Sequence, residues 1–182
     1  MKSLTLVSLP VATLALAACV ANPMMAMSKV DNAALPEAIR APAGTMQKMV
    51  AVGSGELTYE CREKKDMAGT FEWGFVGPVA TLKTKSGEVV GKYYAGPTWE
   101  SVDGSKLTGK QLAVAPNGAG NIPMQLVKAD PATGMGAMQG ISHIQRLQTV
   151  GGAAPAAATC MMANKGERKA VAYQANYVFY GM

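Results

Sequence analysis

The sequence predicts an all-β domain, an antiparallel β-sandwich or small barrel of about nine strands with one long loop pinned by a disulfide. Three observations carry that prediction. After residue 45, short runs alternate apolar and polar residues with a period of two. Turn signals such as Ser86-Gly87 and Asp103-Gly104 separate those runs at the spacing of an all-β fold. No window of a dozen residues in the region carries an apolar period of 3.6. The chain has 182 residues, 49% hydrophobic and 16% charged, enough for one domain with a core and too apolar for disorder.

The first element is an address. Met1-Lys2-Ser3 gives a positive start, and Leu4 to Leu16 is an uncharged apolar run too short to span a bilayer comfortably. It ends in Leu16-Ala17-Ala18-Cys19, which resembles the lipobox of bacterial lipoproteins. The resemblance implies cleavage after residue 18 and acylation of Cys19. An ordinary signal peptide, cut after Ala21 for instance, is the alternative. Val20 stands where an aspartate would resemble an inner-membrane retention signal, so the resemblance implies a lipid-anchored envelope protein on the periplasmic side of the outer membrane. Residues 1–18 are thus read as leader, 19–45 as lipidated cysteine plus flexible tether, and 46–182 as one β domain. In the tether, Pro23, Pro36 and Pro42 punctuate an aperiodic stretch, and Pro36 interrupts the single helical turn that Asp31 to Ile39 would allow.

The strands follow in order. Leu57, Tyr59 and Cys61 share one face of the first, with Thr58, Glu60 and Arg62 opposite. Phe71, Trp73 and Phe75 mark the second, and Pro78 opens a third over Val79 to Lys85. Glu88–Tyr94, Trp99–Val102, Lys106–Ala115, Ile122–Ala129 and Ile141–Val150 come next. In the last, Val171, Tyr173, Ala175, Tyr177 and Phe179 alternate with Ala172, Gln174, Asn176, Val178 and Tyr180. Before it, residues 151–169 form a loop long enough to need a restraint.

Two of the three cysteines supply that restraint. With Cys19 acylated, Cys61 and Cys160 remain as an even pair in an oxidising compartment, and their bridge would fasten the long loop to the first strand. No Cys-x-x-Cys supports a redox role. One histidine and three cysteines exclude a multi-histidine metal site and a four-cysteine zinc site.

Several local patterns occur together: Tyr59-Glu60-Cys61, Trp73 with Phe75 and Pro78 to Leu82, and Gly91 to Glu100. Asp103-Gly104-Ser105, Ile144-Gln145-Arg146 with Thr149, Gly151 to Pro155, Cys160 and Tyr173 to Tyr180 continue the series. In order and spacing, over about residues 47–180, they resemble the secreted family named domain of unknown function 3455. The resemblance implies a secreted β-rich domain with the cysteine pair and brings no activity or catalytic residue. Lys92 stands where the family often has histidine, and His143 where it usually does not.

The densest polar cluster is Gly96-Pro97-Thr98-Trp99-Glu100 with Asp103. Its plain reading is a Gly-Pro turn, a buried tryptophan and an Asp-Gly hairpin. Its functional reading is a ligand site at Tyr93, Tyr94, Trp99, Glu100 and Asp103, for a glycan or other envelope molecule. An enzyme alternative makes Glu100 and Asp103 the acid–base pair of a periplasmic hydrolase or carbohydrate-active enzyme beside Trp99. His143 is the single possible imidazole base, and Ser142, its neighbour, would face the other way on a strand. Copper on Met135, Met138 and His143, or on Met24, Met25 and Met27, is a weaker thought prompted by 13 methionines. We expect no cofactor, no metal and no catalytic residue. Basic residues are interspersed with acids, and the net charge falls from +5 to +4 when Lys2 leaves, which argues against nucleic acid as a partner.

Overall fold

The computed structural model describes residues 29–182. The readings of residues 1–28, including Cys19 and the methionines of the tether, lie outside them. From Met46 onward the alternating pattern folds as eight strands: β1 (Met46–Lys64), β2 (Met67–Lys83), β3 (Val89–Tyr94), β4 (Thr98–Ser101), β5 (Lys106–Ala115), β6 (Met124–Ala129), β7 (Ile141–Gly151) and β8 (Arg168–Gly181). Each pairs antiparallel with its sequence neighbours, and β8 returns to β1, so the sheet is a closed barrel and not a sandwich. Closure depends on β1, which pairs with β8 from Met46 to Glu60 but with β2 only from Val52 to Lys64. That offset is the stagger a closed sheet requires.

Of the about nine strands expected, the two read at Phe71–Phe75 and from Val79 on are one continuous strand, so eight are formed. Thr58 pairs with Gly77 and Tyr59 with Phe75, so Val76 is an extra residue on β2, a bulge. The bulge keeps Trp73 and Phe75 on the inward side before it and Pro78, Ala80 and Leu82 inward after it. Pro78 is therefore inside a strand and does not open one. It is tolerated because the ladder to β3 begins only at Val79, leaving β2 one paired neighbour there. β1 in turn starts eleven residues before Leu57. Its first half is poor in strand formers because the lumen is crowded: a Cβ on Gly53 would come within 2.6 Å of the Tyr177 ring.

Inward-facing Leu57, Leu82, Trp99, Leu107, Ile144, Tyr177 and Phe179 form the core. In β8 the inward set runs as the sequence predicts from Tyr173 to Phe179, but Val178 and Tyr180 on the outer face are buried too. What buries them is the segment read as tether. Val30 to Ala41 is a strap across the outside of the barrel, with Ile39 fully buried against Ala115, Leu126, Leu147, Val178 and Tyr180. Its two 3-10 turns, Asn32–Ala34 and Glu37–Ile39, lie on either side of Pro36. Asn32 closes it on itself, its side chain donating to the Ala41 carbonyl (2.9 Å) and accepting from the Ala41 N–H (2.9 Å). Gln145, fully buried, fixes it to β7: Nε2 donates to the Ile39 carbonyl (2.7 Å) and to Asn32 Oδ1 (3.0 Å), while Oε1 accepts from the Tyr180 hydroxyl (2.7 Å). The tether's lack of periodicity was no sign of freedom, because an apolar anchor and a shared amide network suffice to dock a short segment.

The long loop between β7 and β8 is restrained as expected. Cys61 and Cys160 are bridged, with Cα atoms 5.4 Å apart and a sequence separation of 99. A closed loop of that length is worth about 4.7 kcal/mol in the chain-entropy model. Backbone bonds from Cys61 N–H to Glu167 O (2.9 Å) and from Gly166 N–H to Cys61 O (2.8 Å) extend the join, as does Trp73 Nε1 donating to Thr159 Oγ1 (2.9 Å).

Replacing Gln145 with Ala leaves the Tyr180 hydroxyl and the Ile39 carbonyl without partners. We expect a loss of about 1–3 kcal/mol in stability. Hydrogen exchange should show faster labelling confined to residues 30–41, with the disulfide loop unchanged.

Candidate functional site

β4 is the shortest strand, and it pairs with β5 only from Lys106 to Thr108. Beyond Thr108, β5 has no neighbour on its β4 side, so the barrel gapes at the end that carries the β3–β4 and β5–β6 turns. A cavity of about 420 Å³ opens there into the lumen. Its walls come from seven of the eight strands. Leu57 and Tyr59 (β1), Phe75 and Pro78 (β2), Tyr93 (β3) and Trp99 (β4) form one side. Gln111 (β5), Gln125 and Val127 (β6) and Arg146 (β7) form the other, with Ile122, Pro123 and the Gly96-Pro97 turn at the rim.

An aromatic stack makes the rigid part of the wall. The Tyr93 and Trp99 rings are stacked with centroids 4.8 Å apart, Tyr177 leans on both at 5.2 and 6.1 Å, and Phe75 meets Tyr59 edge-on at 5.7 Å. Burial raises the hydroxyls of Tyr59 and Tyr93 above the usual phenolic range, opposed by the charge of Arg146. Burial pushes Tyr173 up to about 12. These phenols stay protonated at neutral pH and serve as neutral hydrogen-bonding groups, not as bases. The polar wall is a short chain: Gln125 Nε2 donates to Gln111 Oε1 (2.6 Å), and Arg146 donates through Nε (3.2 Å) and Nη2 (2.9 Å) to the Pro123 carbonyl. Trp99 Nε1 is the one fully buried side-chain polar atom without a partner among the described residues.

The predicted site residues divide between two faces. Tyr93 and Trp99 point into the lumen and line the cavity. Tyr94 and Glu100, one position further on, face outward, as strand alternation demands. There Glu100 accepts from the Tyr94 hydroxyl (2.7 Å) and pairs with Lys92 (3.2 Å) and Lys106 (3.8 Å). The Tyr94 bond, then that from Lys92, holds the Glu100 carboxyl below its ordinary range. Asp103 belongs to neither group. Its Oδ1 accepts from the N–H (2.9 Å) and hydroxyl (2.5 Å) of Ser105, and its Oδ2 from the Ala137 N–H (2.8 Å). Ser105 Oγ then accepts from the Met138 N–H (3.2 Å), so Asp103 latches the 133–138 loop and seats Met138 in the core at the barrel's other end. A Cβ on Gly136 would come within 2.4 Å of that carboxylate.

Glu100 and Asp103 therefore do not converge beside Trp99. Both are held in the ionised form, whereas a glycosidase acid needs a raised pKa. The copper grouping is also dispersed: Met138 is in the core, Met135 is 85% exposed, and His143 lies on the outer side of β7 beside Ser142. His143 is held below its ordinary range by partial burial and by Lys128.

A family model described as Protein of unknown function (DUF3455) matches residues 42–181. The chain belongs to that family. No curated protein and no solved structure matches it. The matched span of this family member starts just after the strap and takes in the whole barrel with its cavity. Arg146, Gln111 and Gln125 are the polar lining residues to which the sequence reading gave no site role, although Arg146 stands in the Ile144-Gln145-Arg146 pattern. One signal was present for Arg146: it stands two residues after Ile144, on the inward register of β7, a cation on an apolar face.

Asp103 gives the end of the barrel opposite the cavity an acid-labile latch. The hydrogen bonds from Ser105 and Ala137 lower its folded pKa from 3.8 to about 2, so its contribution is complete above pH 4 and fades as the pH falls toward 2. Melting temperatures of the wild type and of Asp103→Ala should differ most near neutrality, with the gap narrowing across that acid window.

Proposed function

We propose that this chain is a lipid-anchored envelope lipoprotein whose barrel is a non-enzymatic binding module, taking a small molecule with an apolar body into the lumen. One observation carries the reading. The cavity of about 420 Å³ is walled by stacked aromatic rings and has a few convergent polar groups, the composition and size of small-molecule sites. Barrels of eight strands have just enough interior either to be filled by side chains or to hold one small ligand. Here one end is filled and the other is not. Phe75 and Val76, at the mouth, are 51% and 43% exposed, an apolar rim past which a hydrophobic ligand would enter.

The anchor reading rests on Leu16-Ala17-Ala18-Cys19, and Val20 favours the periplasmic face of the outer membrane in an organism with two membranes. The strap sharpens its consequence. Ten peptide steps separate Cys19 from Lys29, where the described chain begins. They span at most about 35 Å. The barrel then works close to the bilayer surface, where apolar envelope molecules are concentrated.

Two measurements test this. A thermal-shift screen of apolar small molecules and short glycans should find stabilisation that saturates, about 2.7 kcal/mol at a hundredfold excess over Kd. Gln111→Trp, which fills the mouth from an exposed position, should remove the shift while leaving the unliganded melting temperature within a few degrees. Ligands that stabilise both proteins equally would count against the lumen site. For the anchor, Cys19→Ser in the native host should remove the acyl mass from the mature protein and move it from the membrane to the soluble fraction.

A further inference from the structure

The cavity contains one charged side chain, and it has no counter-charge. Arg146 projects from β7 into the lumen with Ile144, while Gln145 and Leu147 on either side of it face the strap. Among the described residues no carboxylate lies within ion-pair distance of Arg146, although Glu100, Glu60 and Glu63 are all paired on the outer surface. Its hydrogen bonds go from Nε and Nη2 to a neutral carbonyl, that of Pro123. A guanidinium has five N–H donors, so this contact engages a minority of them and neutralises none of the charge. Arg146 is half-buried, and the part of its charge that is turned from water toward apolar and aromatic walls is uncompensated until an anion joins it. If filling the lumen were all that was required, an uncharged residue would fill it better, as Ile144 and Val127 do nearby.

We propose that the lumen is a site for an organic carboxylate: an apolar or aromatic body lies against Tyr59, Tyr93 and Trp99, and its carboxylate pairs with Arg146. The inference rests on the lumen being a ligand site and adds the charge of the ligand. The planar fork of arginine matches a carboxylate in two-point geometry. Gln125 on the adjoining β6 and Gln111 on β5 beyond it stand as neutral donors for the same head group. A neutral ligand of the same shape would leave the cation unpaired, so the pocket discriminates by charge as well as by form.

The test uses the full-length protein and matched pairs that differ only in charge: 2-naphthoate against 2-naphthamide, decanoate against decanamide, and cyclohexanecarboxylate against its carboxamide. Affinities are read by calorimetric titration and by quenching of tryptophan fluorescence. For at least one pair the carboxylate should bind tenfold or more tightly than the amide. Arg146→Met should bring the carboxylate down to the level of the amide and leave the amide unchanged, and Arg146→Lys should retain part of the preference. Equal binding of carboxylates and amides by the wild type would overturn the carboxylate inference and leave the lumen site standing. Binding of no member of any pair would overturn both. The wild-type comparison alone decides the matter if Arg146→Met fails to fold. A lower melting temperature in Arg146→Met with the carboxylate preference intact would assign the residue to holding the β5–β6 turn, and would also overturn the inference.

Discussion

β1 pairs with β8 from Met46 to Glu60, yet meets β2 only from Val52 onward, and this offset closes the barrel. The remaining features follow from fitting side chains inside that closed sheet. Gly53 and Gly55 sit where β1 must make room for Tyr177 and for the β2 backbone at Val79 and Ala80. Val76 bulges so that both halves of β2 keep their apolar residues inward. At the end latched by Asp103, Met138 completes the packing. At the other end β4 begins only at Thr98, and Tyr93 and Trp99, backed by Tyr177, wall an open cavity.

The outside of the barrel carries a second, smaller core. A sheet closed on itself needs only one apolar face, so Val178, Tyr180, Leu126 and Leu147 would be exposed without another layer. The strap supplies it with few residues, chiefly Ile39 and Ala41, because Gln145 and Asn32 satisfy the backbone groups it buries. The disulfide does similar work at the rim of the open end, where a long loop without secondary structure of its own would otherwise leave the Cys61 and Trp73 region uncovered. Polar and ionic side chains that look chemical in isolation thus have structural employment: Asp103 in a loop latch, Glu100 in a surface network, Gln145 under the strap. Arg146 is the exception, a charge turned inward without a partner of opposite sign.

Much of the fold was legible because period-two alternation survives in the sequence wherever one face is buried. The boundaries of β5 and the inward set of β8 from Tyr173 to Phe179 follow from it directly. It failed at two places for definable reasons. At Val76 a bulge interrupts the period without ending the strand, and a proline two residues on makes the interruption resemble a start. In Met46–Glu56 the inward Ala51, Gly53 and Gly55 are small because the Tyr177 ring of the neighbouring β8 and the β2 backbone occupy their space, so the segment lacks the composition of a strand while being part of the longest one. The site was half legible. Tyr93 and Trp99 were identifiable as bulky aromatics in a compact cluster, but Tyr94, Glu100 and Asp103 came with them through adjacency in sequence, which on a strand places neighbours on opposite faces.

The sequence by itself determined the all-β class, the pairing of Cys61 with Cys160, the absence of familiar catalytic motifs and membership of its family. All of these are local or additive properties: periodicity, a cysteine count, ordered short motifs. Only the tertiary structure decided that the sheet closes into a barrel, that the supposed tether from Val30 to Ala41 is a docked layer, and that Arg146 lines one cavity with Tyr59, Tyr93 and Trp99. Those facts depend on strand register and on the side that each residue faces after bulges are counted. A shift of one residue reverses every such assignment, and nothing in the linear pattern fixes it.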